Sequence, residues 1–172
     1  MIITLLEHPT DEDWIKCKTR ALVTIGKSKV INAPTLAWKK SILLARHSPI
    51  RCLPISFYFQ DLPSYISVHF VRHHVGCEKY VKSQRNDRQS DYDRTKAPQD
   101  TPVNMIMDFN GESIQTFMQK RLCNMADPKT REVAEQMRDL LIKANPEFKE
   151  VLKKPCQMFG RCFEMYPCTD NF

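Results

Sequence analysis

The chain reads as a mixed α/β (α+β) protein, a mixed sheet with helices packed against it. Two stretches, Leu53–Phe59 and Val103–Phe109, alternate with the two-residue period of a half-buried strand. Several others carry apolar residues at three- and four-residue spacing next to helix-capping residues. With 172 residues, 42% of them hydrophobic, the chain suits one domain that buries a core without staples.

Ile2–Leu6 is expected as a short buried strand. Asp11 then caps a helix to about Val23, whose apolar side is Trp14, Ile15, Cys17, Ala21 and Leu22. A loop over Lys27–Pro34 precedes a second helix from about Thr35 to Ala45, burying Leu36, Trp38, Ile42 and Leu43. In the strand Leu53–Phe59, Ile55, Phe57 and Phe59 face one way, Ser56 and Tyr58 the other. Asp61 and Pro63 supply a cap and an early-turn proline for a helix reaching about Val75. From Gln84 to Pro102 the chain is almost wholly polar, and a structureless loop this long inside a compact domain is usually functional or disordered. After the strand Val103–Phe109 comes a helix from Glu112 to about Leu122, with Ile114, Phe117 and Met118 inward. Asp127-Pro128 opens another to about Ala144, with Val133, Met137, Leu140 and Leu141 on its apolar face. Residues 1–150 thus form the main domain, and residues 151–172 a cysteine-bearing tail packed on it through Phe159, Phe163 and Tyr166.

Composition narrows the function. A net charge of +6, with basic residues gathered at Arg85–Arg94 and Lys149–Lys154, suits an anionic partner: a phosphorylated small molecule or a nucleic acid. No apolar run approaches the roughly 20 residues of a membrane span. The opening residues lack the basic start and cleavage site of a signal peptide, so a cytoplasmic location is expected. Seven cysteines, an odd number, then read as reduced thiols.

The densest chemistry is His69-Phe-Val-Arg72-His73-His74, four potentially cationic donors in six residues. His69 and His73 share a helix face, as a metal pair would, but no glutamate follows His69 as in zinc proteases. Relief of a helix dipole accounts for one or two of these groups, hardly for four. A phosphate or an electron-rich ring is the better partner. Ser83-Gln84-Arg85, a hydroxyl and a guanidinium at the mouth of the polar loop, suits phosphate too. Arg121 follows Ile114, Phe117 and Met118 on the apolar side of its helix. It is either a snorkelling or salt-bridged arginine, or a cation held in a half-buried pocket where negative charge develops.

Together these segments resemble the flavin-dependent thymidylate synthases (the ThyX family). The family signature is Arg-His-Arg, seven residues, then Ser, continuing Ser-Gln/Gly-Arg-Tyr. Here it stands as Arg72-His73-His74, eight residues, then Ser83-Gln84-Arg85-Asn86. Asn110-Gly-Glu112-Ser113 through Phe117 to Arg121 is similar to the family's Asn-x-Arg-Ser-Leu-x-x-Phe-Leu-x-x-Arg block, with Glu112 at the arginine's position. Arg131-Glu132-Val133 resembles its Gln-x-Glu-Ile helix. Arg51-Cys52 stands where the family has Glu-His before the first strand, and the polar loop replaces several tens of largely helical residues. The likeness runs from about Cys17 to Phe148 and marks a divergent, shortened member.

The resemblance implies a homotetramer with active sites between subunits. The implied reaction is reductive methylation of dUMP to dTMP. Carbon comes from methylenetetrahydrofolate and hydride from reduced FAD, which NADPH recharges. By position, Arg72, His73, His74, Asn110 and Thr116 would bind the flavin. His69, Arg72, Ser83, Gln84, Arg85 and Arg121 would bind substrate, with Arg121 the catalytic cation that polarises the uracil ring. Alternatives are another pyrimidine nucleotide modified by flavin or folate chemistry on this fold, or an inactive nucleotide-binding or assembly relative. In the tail, Cys156, Cys162 and Cys168 are candidate ligands for a structural zinc or cluster, with buried unligated thiols the plainer reading.

Overall fold

The structure, a computed structural model, describes residues 1–28, 31–88 and 93–168. Parts of both expected loops (29–30 and 89–92), the end of the tail (169–172) and the Asn86 side chain lie outside the described residues. Strands β1 (Ile2–Glu7), β2 (Pro54–Pro63), β3 (Cys77–Val81) and β4 (Pro102–Asn110) make one sheet in the order β1-β2-β4-β3. Helices α1 (Asp11–Val23) and α2 (Leu36–Ala45) precede β2, and α3 (Ser64–Val71) links β2 to β3. Helices α4 (Ser113–Arg121), α5 (Pro128–Ala144) and α6 (Pro155–Phe159) follow β4.

The expected mixed sheet is antiparallel at every pairing. The α3 crossover joins β2 and β3, which point the same way, but β4 inserts between them and runs against both. Among the described residues no parallel ladder forms, and the unit is a split β-α-β. Strand β3 lies in a stretch assigned no strand from the sequence. Its residues Cys-Glu-Lys-Tyr-Val sit on an edge, where only Cys77 is buried and charged side chains are tolerated. The hydrophobic pattern that marks central strands is therefore missing.

Strand β1 is present but is not buried. It is the opposite edge, with Ile2 and Leu6 exposed and only Ile3 and Leu5 packed against the core. Thr10, not Asp11, caps α1: its hydroxyl accepts from the Asp13 N–H while Asp13 bonds back to the Thr10 N–H, a reciprocal box. Thr35 caps α2, whose Leu36 is exposed because it lies on the solvent side of the first turn. The helix expected from Asp61 to Val75 is shorter. β2 continues through a bulge at Asp61 (φ 55°), whose N–H reaches the Asn104 side chain at 3.1 Å. After Val71 the chain reverses through Gly76 into β3, which leaves no room for a further helical turn.

The core lies between one sheet face and the helices. Ile55, Phe57 and Phe59 of β2 pair with Phe109, Met107 and Met105 of β4, and all six are buried. An aromatic chain runs outward from there. Phe57 meets Phe109 edge-on at 6.3 Å, Phe109 meets Phe117 at 5.1 Å, and Phe117 meets Phe70 at 5.0 Å. Such tilted pairs add about 0.5–1.5 kcal/mol each beyond the area they bury. The last ring in the series is His73, 4.9 Å from Phe117. The core thus ends at the residues singled out for chemistry.

The tail contacts the body through polar and sulfur groups rather than its aromatics. Phe159, Phe163 and Tyr166 are more than half exposed, while Met158 accepts from Gln119 and Lys154 donates to Asn124. Cys156, Cys162 and Cys168 line a small cleft of about 30 Å³ together with Cys123. All seven cysteines are free, and among the described residues no three His, Cys, Asp or Glu side chains converge to hold a metal. Cys123 contacts Glu164, and Cys168 accepts from Asn124. These thiols take part in the packing of the tail.

Candidate active site

Arg121 ends α4 and emerges beside the aromatic chain, half-buried. Its Nε–H donates to His73 Nε2 at 2.9 Å, and its Nη2 donates to the carbonyl of His69. Because a guanidinium can only donate, His73 Nε2 is the unprotonated nitrogen and its proton sits on Nδ1. Burial, then the charges of Arg121 and Lys79, press the His73 pKa down to about 4. The ring is neutral at physiological pH and acts as an acceptor that aims the arginine. Burial and then the Arg72 charge also lower the Arg121 pKa, so this cation is held where charge is costly. These bonds use two of its five N–H groups and leave the others for an anion or a carbonyl.

Arg121, Arg72, His73 and Lys120 line one cleft of about 290 Å³, with Glu164 from the tail on its wall. Glu164 lies 3.7 Å from the Lys120 ammonium. The spacing of apolar residues pointed to Arg121; Lys120 and Glu164 were not anticipated. The first hides among surface lysines, and the second lies 43 residues beyond Arg121.

His69 bonds through Nδ1 to the Thr130 hydroxyl at 2.7 Å, and that hydroxyl donates to Asp127 at 2.8 Å. The hydroxyl proton is therefore spent on Asp127, and His69 Nδ1–H donates to Thr130. Thr130 is fully buried and joins the α5 cap to α3. The imidazole of His69 is thus tied to α5, while its carbonyl serves Arg121. His74 is exposed, its Nδ1 3.1 Å from the Arg72 carbonyl oxygen.

Asn110 and Thr116 line a second cavity, about 330 Å³, with Arg51, Gly76, Glu112 and Ser113. The Asn110 side-chain oxygen accepts from the N–H groups of Glu112 and Ser113, both at 2.9 Å, capping the start of α4. Gly76 sits against this cap with φ +66°, where a Cβ would lie 2.7 Å from the Asn110 amide nitrogen. Thr116 accepts from Arg46 at 2.7 Å. Arg51 and Glu112 form an ion pair. The two departures from the family pattern thus face each other, and the reversed charge at Glu112 is answered by Arg51.

Ser83 and Arg85 line a third cavity, about 510 Å³ and open, with Lys82 and Arg88. Arg85 binds Asp87 through two bonds of 2.9 and 2.8 Å, and Gln84 reaches Ser64 at 3.5 Å. The structure therefore unites Arg72, His73 and Arg121, places Asn110 and Thr116 in a separate wall, and leaves Ser83 and Arg85 in a third place.

A family model described as thymidylate synthase complementing protein matches residues 86–147. No curated protein matches the chain. Among solved structures, a crystal structure of ThyX from Helicobacter pylori with FAD and dUMP superposes with a TM-score of 0.70 at 14% identity. It covers 89% of this chain and 100% of that one. A second structure of the Helicobacter pylori enzyme, also complexed with FAD and dUMP, gives 0.69 at 16% identity over the same shares. The chain thus shares the fold of these enzymes over most of its length, and the sequence pattern described as thymidylate synthase complementing protein over residues 86–147.

Proposed function

We propose that the chain is an FAD-dependent thymidylate synthase, a methyltransferase that converts dUMP to dTMP with methylenetetrahydrofolate, reduced FAD and NADPH. One observation carries the reading: Arg121, half-buried, is aimed by the neutral His73 ring and the His69 carbonyl into a cleft it shares with Arg72 and Lys120. A fixed cation of this kind stabilises a pyrimidine ring as it becomes electron-rich, and needs no reorganisation to do so.

The residues present fit the flavin in chemical kind. The Asn110 and Thr116 cavity offers amide and hydroxyl groups around an internally neutralised Arg51–Glu112 pair, and Arg72, His73 and His74, which precede Val75 and Gly76 of its lining in the chain, would supply cationic or hydrogen-bonding groups. Bound there, the flavin would supply hydride. Arg72, His73, His74, Asn110 and Thr116 would hold and orient it. Ser83, Gln84 and Arg85 would hold the nucleotide phosphate or sugar, and His69 would keep Arg121 in place. Ser83 and Arg85 line a cavity separate from the Arg121 cleft, so one nucleotide contacts both sets most simply across a subunit boundary. That supports an interfacial site in a homotetramer.

A second acceptor nucleotide is favoured by one feature: the Glu164 carboxylate on the cleft wall adds an acceptor group beside the cations. Anaerobic turnover of dUMP with FAD, NADPH and methylenetetrahydrofolate, with dTMP followed by chromatography, decides between them. Formation of dTMP is expected. NADPH oxidation by a flavin-loaded protein without dTMP would move the reading to another pyrimidine nucleotide. Loss of flavin binding as well would leave an inactive binding or assembly relative.

A further inference from the structure

Among the described residues, Glu164 is the one acid in the wall of the Arg121 cleft. The tail that carries it is pinned on both sides. Ahead of Glu164, Lys154 donates to Asn124 and Met158 accepts from Gln119 at 3.4 Å. Beyond it, Cys168 accepts from Asn124 at 3.9 Å. Gln119 belongs to α4 and Asn124 to the turn that follows, so the tail sets Glu164 over the helix end that bears Arg121. Its carboxylate lies 3.7 Å from the Lys120 ammonium and accepts from the Cys123 thiol at 4.0 Å. Both contacts are long, and a carboxylate has about four acceptor sites, so most of its capacity is left for a ligand.

The rest of the wall decides what that ligand is. Arg72, Lys120 and Arg121 offer permanent donors, while Met125 and Ala126 add an apolar surface. A phosphate would satisfy the cations but would bring its own charge against the carboxylate, where like charges repel. A pyrimidine base brings carbonyl oxygens for the donors, a flat apolar face for Met125 and Ala126, and an edge N–H for the acid. A hydrogen bond to an ionised acceptor is roughly twice as strong as one between neutral groups.

We propose that Glu164 is a specificity-determining residue of this cleft: its carboxylate accepts an N–H from the edge of a pyrimidine base whose carbonyl oxygen takes one of the Arg121 N–H groups left over. The proposal rests on the reading of the cleft as the site of a pyrimidine nucleotide. Uracil supplies the N–H from its ring, between two carbonyls, and cytosine supplies it from its amino group. The same acid turns the phosphate away, in keeping with a separate basic cavity at Ser83 and Arg85. Base and phosphate are thus sorted by one carboxylate on the tail.

The test is calorimetric titration of the full-length protein, with FAD present, by dUMP and by its N3-methyl analogue, which has no ring N–H. The unmutated protein should bind dUMP roughly tenfold more tightly than the methylated nucleotide, the scale of one hydrogen bond to a charged group. Glu164→Ala should weaken dUMP by that factor and leave the methylated nucleotide no weaker, so the preference disappears. Glu164→Gln, whose amide oxygen still accepts, should keep part of it. Glu164 is partly exposed, so both variants should keep the fold by circular dichroism. An acid that merely offsets Lys120 would move both nucleotides equally, and that outcome overturns the proposal. Tighter dUMP binding by Glu164→Ala, the mark of an acid that competes with the ligand, overturns it too. The same selective loss with dCMP in place of dUMP upholds the role and assigns it to the cytosine amino group. If the unmutated protein binds none of the three nucleotides, the reading of the site falls and the proposal with it. If dUMP binds and its preference survives in Glu164→Ala, only the role of Glu164 falls.

Discussion

The Arg121 cleft and the Ser83–Arg88 cavity both present arginines to an anion, but they are built on opposite principles. Arg121 is fixed by two bonds, backed by a series of packed rings, and sits beside a histidine kept neutral by burial. Arg85 stands on an exposed loop with its fork filled by Asp87. The first site has already met the cost of ordering a cation, so binding energy there is available for a transition state. The second must give up an ion pair before it can grip a phosphate, so its contribution is small and adjustable. On the proposed reading, chemistry belongs to the first and capture to the second.

Arg121→Ala should break this contrast most severely. Loss of one preorganised cation costs about 10²–10³ in turnover, with the fold retained by circular dichroism. Unchanged turnover would remove Arg121 from the reaction. Ser83→Ala combined with Arg85→Ala should weaken nucleotide binding by roughly tenfold, the scale of one net charged hydrogen bond, with flavin binding less affected. Titration of each ligand by calorimetry checks it, and earlier loss of flavin would exchange the two assignments.

Acid tests the histidine. In the unfolded chain an imidazole takes up a proton near pH 6.5, but folded His73 does so only near pH 4. Between those values the unfolded state binds more protons, so the melting temperature should fall as pH drops through that window. His73→Gln should flatten the decline. Asp13 and Asp127, whose pKa values are also lowered from 3.8, act in the same direction at lower pH. Their stabilisation is complete above that value and is lost only as pH falls further, below the histidine window.

The smallest effect should come from Arg51 and Glu112, a pair in which Arg51 is largely exposed. Arg51→Glu and Glu112→Arg should each cost stability, and the double exchange should recover part of it. Such a pair has a coupling of about 0.2–1 kcal/mol in denaturant melts. Zero coupling would make the facing charges incidental.

Much of this was legible from residue spacing. Arg121 announced itself by following Ile114, Phe117 and Met118 on the same face, and the burial of those three bears the pattern out. The central strands were plain because they alternate against a core on one side. Strand β3 was not, since an edge strand with Glu78 and Tyr80 facing solvent has no hydrophobic period to read. The neutrality of His73 was also hidden, because it depends on Phe117 and Arg121, which only the fold brings beside it. The answering charges of Arg51 and Glu112 lie 61 residues apart, beyond any local pattern. Residues named from their order along the chain line three separate cavities, a division that was not foreseeable.

Position 76 has a consequence for how mutations should be distributed. Gly76 is exposed, and surface positions ordinarily accept almost any side chain. Here any side chain would require a backbone conformation that L residues rarely adopt, and would also press on the Asn110 amide that starts α4. A saturation library read by growth or binding should therefore show an intolerant spot in the middle of a permissive surface. Its severity would reflect the helix that carries Arg121, not the turn where the change was made.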